Sequence, residues 1–167
     1  MPRAPQTRGP STVGHDVRMR PGFEHQLLTI GYEGRTADEL INELAGAGVD
    51  VLVDVRLTPV SRKPGMSKRG LSAALAEAGV RYLHVPALGN PKENRDGFRA
   101  GDTISRSRFR DMLRLPEAAE ALRTVEELVK RNHVALLCFE READTCHRRI
   151  VGDELARRTS AVNIAHA

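Results

Sequence analysis

The chain reads as a single three-layer α/β domain, with a mostly parallel sheet of about five strands and helices on both faces. Two observations predict this. Strand-like and helix-like apolar patterns alternate from about residue 27 onward, the order that a parallel sheet with right-handed crossovers needs. The run Val134-Ala135-Leu136-Leu137-Cys138-Phe139 is apolar without alternation, which suits a strand buried on both faces. A length of 167 residues is enough for one domain with a proper core.

Each element has its own signal. Residues 1 to 25 carry Pro2, Pro5, Pro10 and Pro21 among scattered Gly, Ser, Thr and Arg. They show no periodicity and read as a flexible basic arm, leaving 26–167 as the domain. Leu27 to Ile30 is a first strand ending at Gly31. Thr36-Ala37-Asp38-Glu39 is a capping box, in which hydroxyl and carboxylate each satisfy an orphan backbone N–H. Ala37, Leu40, Ile41, Leu44, Ala45 and Gly48 then mark one face of a helix. Val51 to Val55 is a second strand, Leu71 to Ala78 a short helix, and Val80 to Val85 a third strand. Gly89 to Ser105 is long and polar, as a lid or binding loop would be. Ala118 to Val129 is a strong helix, followed by the apolar strand ending at Glu140. A last helix is expected from about Thr145 to Arg158, and a fifth strand at Ala161 to Ala165.

Composition excludes several classes. No apolar stretch approaches the roughly 20 residues needed to span a bilayer. Arg3 and Arg8 are followed by no apolar segment, so no secretory signal is expected. One of the two cysteines lies in an apolar run and the other in a polar cluster, which argues against a stapling disulfide. A reducing, cytoplasmic setting follows as the expectation. The net charge of +4 and pI near 9.5 point to an anionic partner, either a small molecule or nucleic acid. Placement sharpens this. Arg56, Arg62, Lys63, Lys68 and Arg69 fall together without an acidic residue, and Arg95, Arg99, Arg106, Arg108 and Arg110 form a second set. The plainer alternative is a solvated basic surface.

The unusual polar residues all follow strands. Gly31-Tyr32-Glu33-Gly34-Arg35 follows the first, and Asp54, Arg56, Ser61, Arg62 and Lys63 follow the second. The third carries His84, and the fourth delivers Glu140 and then Asp144-Thr145-Cys146-His147-Arg148-Arg149. The carboxyl edge of the sheet is where open α/β folds bind ligands. With a strand order 3-2-1-4-5, Tyr32 and Glu33 would face Glu140 and Cys146 across the switch point.

The loop Gly31–Gly34 opens a helix and could hold an anion on its N–H groups, or serve only the tight turn. It has neither the Walker nor the dinucleotide spacing. With Asp144 or Thr145 as N-cap, Cys146, His147, Arg148 and Arg149 would occupy a first helical turn. There the dipole and cations favour a thiolate, and arginines oppose the dipole unless an anion or the neighbouring acids offset them. Glu140, a carboxylate ending a buried strand, suits acid/base or nucleophilic work through a raised pKa. Cys138 reads as core and His84 as a satisfied histidine. No cofactor is expected, although a divalent metal could draw on Asp54, His84, Glu140, Cys146 and His147. Against that, Cys146 and His147 would diverge by about 100° on a helix. Asp54-Val55-Arg56 is similar to the strand end of sulfur-transfer rhodanese domains, but a Cys heading an anion-binding loop is lacking. Dual-specificity phosphatase chemistry fails because no Arg stands six residues beyond either Cys.

Taken in order, these segments resemble a bacterial family known as domain of unknown function number 488. The matching stretches are Thr29 to Thr36, Asp54-Val55-Arg56 with Pro59 and Ser61-Arg62-Lys63-Pro64-Gly65, Gly79 to Tyr82 with Leu88-Gly89, and Val134 to Glu140 with Cys146-His147-Arg148. The resemblance spans roughly 27–158. It implies an α/β fold and marks Tyr32, Glu33, Asp54, Arg56, Glu140, Cys146, His147 and Arg148 as signature positions, without supplying a substrate.

The expectation is a cytoplasmic hydrolase or transferase acting on a phosphate-bearing substrate such as a nucleotide. Glu140 or Glu33 would act as base or nucleophile, His147 and Tyr32 would orient substrate, and Cys146 belongs to the same catalytic group. Gly31, Gly34, Arg35, Asp54, Arg56, Ser61, Arg62, Lys63, His84 and Arg148 would bind the anion. Two alternatives remain open at this level: a nucleic-acid-binding module using the 56–70 loop, and a cysteine redox sensor. Low aromatic content, 4% with no Trp, disfavours a base-stacking surface.

Overall fold

Five strands form one sheet: β1 (Gln26–Gly31), β2 (Val51–Asp54), β3 (Arg81–His84), β4 (Val134–Cys138) and β5 (Asn163–His166). The computed structural model describes residues 26–160 and 163–167. The arm expected at 1–25 and the first two residues of the expected fifth strand lie outside the described residues. All four pairings are parallel, in the order β3-β2-β4-β1-β5. The expected order had β1 beside β2; β4 lies between them instead. Both orders keep β3 and β5 at the edges and bury the other three strands, so the difference is only that β4 rather than β1 pairs with β2. All five residues of β4 are buried, as a strand with partners on both edges and helices on both faces requires. The less buried β3 and β5 take the two edges.

Side chains alternate across the sheet with a period of two. Leu28, Ile30, Leu52, Ala135 and Leu137 pack with Leu40, Leu44, Leu71 and Leu75 of α1 (Ala37–Gly46) and α2 (Lys68–Glu77). On the opposite face, Leu27, Val51, Val53, Val134, Leu136 and Cys138 form a second core with four helices. These are α3 (Lys92–Arg99), α4 (Thr103–Met112), α5 (Pro116–Val129) and α6 (Arg148–Arg158). The three-layer α/β domain stands as expected. Thr36 and Glu39 form the capping box, with the Thr36 N–H donating to Glu39 Oε2 at 2.7 Å.

Two expectations need correction. The polar segment 89–105 is not an irregular lid: it contains α3 and leads into α4. Only Phe98 and Phe109 give these helices a buried aromatic anchor, and the rings meet edge to face at 5.9 Å. Hydrogen bonds do the rest. Buried Asn94 donates to Asn90 Oδ1 at 2.9 Å and to the Ser105 carbonyl at 3.0 Å. Asp102 caps α4 by accepting from the Ile104 and Ser105 N–H groups. Internal polar pairing of this kind leaves almost no apolar periodicity to detect. The last helix also starts later than expected. Residues 143–145 make one 3-10 turn, Cys146 is extended (φ −122, ψ 140), and His147 caps α6.

Gly31 is required by close approach. A Cβ there would lie 1.8 Å from the Glu140 carbonyl oxygen, whereas one at Gly152 in α6 would meet only the ends of the Ile164 and Thr29 side chains, at 2.8 and 3.1 Å. Gly31→Ala should therefore cost more than about 3 kcal/mol in urea unfolding, since backbone cannot yield as side chains do. Gly152→Ala should cost far less, because side chains can shift and alanine favours a helix interior.

Candidate functional site

The carboxyl edge of the sheet opens into a cleft of about 210 Å³. The ends of β1, β2 and β4 supply Tyr32, Arg56 and the pair Cys138 and Glu140. Asn90, Arg95 and Arg99, on α3 and the turn before it, close the far wall, and His147 comes from the start of α6.

Glu140 is the carboxylate in this lining, with its side chain 12% exposed. It accepts from Arg99 Nε at 3.0 Å and from the Cys138 thiol at 3.3 Å. Burial pushes the carboxyl up, but its own backbone N–H, the Cys146 thiol, Arg99 and Cys138 together hold it below the ordinary value. The expected raised pKa is thus reversed, because the donors around this strand end outweigh desolvation. Glu140 is an ionised carboxylate.

His147 is buried. Its Nε2 lies 3.0 Å from the Val55 carbonyl, which can only accept, so Nε2 carries a proton. Nδ1 faces Cys138 Sγ at 3.7 Å and Cys146 Sγ at 3.8 Å. The ring is held edge-on against Phe109. Cys146 is 1% exposed, and burial pushes its thiol well up, so it is a thiol rather than the expected thiolate. The expectation assumed a first-turn position; Cys146 instead precedes the helix, beneath the loop. Its expected divergence from His147 also fails, since neither residue lies within a helical turn. Among the described residues, Cys138, Cys146 and His147 bring their ligating atoms within 4.8 Å of one another.

Arg148 does not line the cleft. It is fully buried, and its guanidinium donates to the carbonyls of Glu140, Arg141 (2.9 Å) and Ala167 (3.2 Å). Asp54 and Arg56 form a buried bidentate pair, 2.6 and 2.9 Å, with the Tyr82 hydroxyl donating to Asp54 at 2.6 Å. Burial and that bond push the Tyr82 phenol up. Arg56 also donates to the Met66 carbonyl at 2.8 Å and to the Tyr32 hydroxyl at 3.3 Å, so little of its donor capacity faces the cleft it lines.

Most of the other expected anion ligands are spent on the fold. Arg35 binds Glu43 and the Gly31 carbonyl. Gly34 takes a positive φ of 77 in the turn. Ser61 accepts from the Lys63 N–H, Lys63 Nζ reaches the Tyr32 carbonyl, and His84 meets the Arg56 carbonyl at 2.8 Å. Arg62 is exposed. Glu33 turns away from the cleft and accepts from the Arg141 N–H.

Sequence reasoning missed Cys138, Asn90, Arg95 and Arg99 as site residues. The signal for Cys138 was present, because residues two apart on a strand share a face and so Cys138 accompanies Glu140. Arg95 and Arg99 stood in the second basic set, but no apolar pattern revealed the helix that aims them.

The model of the family described as domain of unknown function DUF488 matches residues 36–155, well over half of the chain. The chain belongs to the DUF488 family. The match is shorter than the 27–158 span of the resemblance: it includes Asp54, Arg56, Cys138, Glu140, Cys146, His147 and Arg148, while Tyr32 and Glu33 precede it. No curated protein and no solved structure matches the chain. Among the described residues of this DUF488 protein, no helix is long and apolar enough to cross a membrane.

Two predictions follow from the site's electrostatics. A carboxylate with a depressed folded-state pKa stabilises the fold above its unfolded pKa, and that contribution fades as pH falls through the folded value. Glu140→Gln should therefore be less stable than wild type at pH 7, with the difference shrinking as pH drops below 4.5, the ordinary glutamate value. Urea melts across that range read it. Arg148→Met should lose about 3–5 kcal/mol, because it strands buried carbonyls, while a destabilised but folded fraction keeps its affinity for anions in the cleft.

Proposed function

We propose that this protein is a small-molecule enzyme, a hydrolase or transferase, that binds a phosphate-bearing substrate in the cleft and uses Glu140 as its reactive carboxylate. The observation that carries this reading is an ionised, largely buried carboxylate paired at 2.9 Å with Arg99, a cation that is itself 45% exposed. Such a pair is exchangeable. A phosphate entering beside Arg95 and Arg99 competes with Glu140 for the Arg99 guanidinium, whose fork suits phosphate as well as carboxylate. Once Arg99 turns to the phosphate, Glu140 loses one of the donors that hold it ionised while staying buried, and its basicity rises. It then accepts the proton of an attacking water or hydroxyl, a role worth about 10²–10⁴-fold in rate.

Size and lining narrow the substrate. The cleft, at about 210 Å³, is below the ~300 Å³ at which pockets enclose drug-sized ligands. It suits the phosphorylated part of a nucleotide or a nucleic-acid component. Leu57, Val60 and Phe139 are exposed at its mouth and offer apolar contact to the remainder. A pair of carboxylates acting across one bond is not supported, because Glu33 is engaged outside the cleft. The nucleic-acid-module reading is weakened because Arg56 and Lys63 bond inward, leaving Arg62, Lys68 and Arg69 as the exposed cations of that loop. A redox sensor needs a reachable thiolate, and Cys146 is a buried thiol.

A thermal-shift and turnover screen against nucleotides, sugar phosphates and short oligonucleotides tests the proposal. A small phosphorylated compound should stabilise wild type, and Arg95→Ala and Arg99→Ala should abolish that shift. Glu140→Gln should keep binding while lowering turnover at least about 100-fold. Stabilisation by oligonucleotides alone, lost with salt and indifferent to Glu140, would contradict it.

A further inference from the structure

We propose that Cys138, Cys146 and His147 form a three-ligand site for a thiophilic divalent cation of the zinc class, with its fourth coordination position open to the cleft beside Glu140. The two sulfurs lie 3.7 and 3.8 Å from His147 Nδ1. In a tetrahedral zinc site, metal–sulfur and metal–nitrogen bonds of about 2.3 and 2.0–2.1 Å place sulfur about 3.6 Å from nitrogen. The observed separations match that edge to within a few tenths of an ångström. They also fall within the reach of sulfur hydrogen bonds, so the two thiols stand against Nδ1 before a metal displaces their protons.

The surroundings are those of a ligand set. The Nε2–H of His147 is held by the Val55 carbonyl at 3.0 Å, which fixes the tautomer and aims Nδ1 at the sulfurs, as outer-shell carbonyls do for metal-bound histidines. The Arg148 backbone N–H lies 3.5 Å from Cys146 Sγ, a donor for a sulfur that becomes anionic. Three elements converge here: β4 gives Cys138, the segment before α6 gives Cys146, and the helix cap gives His147. All three residues are buried. Cys138 and His147 also line the cleft, and Glu140 Oε2 lies 3.3 Å from Cys138 Sγ, so the open position faces the carboxylate.

Charge balances on binding. Each thiol releases one proton to solvent, and two thiolates neutralise one divalent ion, which removes the cost of burying either charge alone. Two cysteines and a histidine with one open position is the donor set of a catalytic rather than a purely structural zinc site. Spectrally silent zinc can be replaced by Co²⁺, whose thiolate charge-transfer absorption reports sulfur ligation directly.

The experiment is a Co²⁺ titration of the full chain under a non-thiol reductant, followed by displacement with Zn²⁺. One Co²⁺ per chain should bind with a thiolate charge-transfer band and release two protons. His147→Gln should weaken affinity by more than about 100-fold, beyond the 10–100-fold typical of outer-shell changes. X-ray absorption at the zinc edge needs no variant and should show two sulfurs at about 2.3 Å. Absence of stoichiometric binding, a band that survives Cys138→Ser/Cys146→Ser, or a zinc shell of only nitrogen and oxygen would overturn the site. Glu140→Gln should still bind one Co²⁺, so loss of turnover without loss of metal binding separates this proposal from the anion-substrate reading.

Discussion

The buried guanidinium of Arg148 is the constraint on which the carboxyl edge of this protein depends. A charge without solvent is expensive unless its donors are met. Here they are met by backbone carbonyls: Glu140 and Arg141 from the loop after β4, and Ala167 beyond β5. One side chain therefore ties the start of α6 to the exit of the central strand and to the end of the chain. The loop between them has no other regular scaffold than a single 3-10 turn. Gly31 completes the clamp from the other side, since only a residue without Cβ allows β1 to approach the Glu140 carbonyl.

Holding the backbone of residues 140 and 141 in this way frees the Glu140 side chain for the cleft. The chain separates two kinds of basic residue. Arg148, Arg56 and Arg35 are consumed by carbonyls and carboxylates that shape the edge. Arg95 and Arg99 sit on a helix packed against that edge through Phe98, with Arg95 spending only its Nε–H, on the Asn90 carbonyl at 3.1 Å, and Arg99 reaching Glu140 across the gap. Rigidity comes from the first group; in the proposed function the second group binds the ligand, which suits a site whose polar groups must be in place before substrate arrives.

Much of this architecture was legible in the sequence. The apolar run of β4 predicted a doubly covered strand, and the Thr36–Glu39 box predicted the start of α1. The polar residues that follow the strands share one edge, because every parallel strand delivers its carboxyl end to the same side. Three things were not legible. β1 and β4 are both almost wholly buried and similar in pattern, so which of them pairs with β2 left no mark in the sequence. The helices α3 and α4 are held by Asn94, Ser105 and Asp102 hydrogen bonds, which imitate a polar loop in any hydrophobicity pattern. Whether an arginine faces carbonyls or solvent is decided by folding of the 139–147 loop, so Arg148 and Arg99 could not be told apart by type. Glu140 lies in the cleft at the strand end, but its titration depends on Arg99 and Cys138, neighbours that only the fold supplies.

The central claim is that the cleft beside Glu140 takes a phosphate through Arg95 and Arg99. The most direct measurement is a titration of inorganic phosphate into the isotope-labelled protein, observing the arginine Nε–H signals by NMR. Saturable shifts at Arg95 and Arg99, with the buried Arg148 signal unmoved, are the predicted result. Shifts confined to Arg62 and Arg69, with Arg95 and Arg99 unchanged, would contradict the account and move the anion site to the β2–α2 loop.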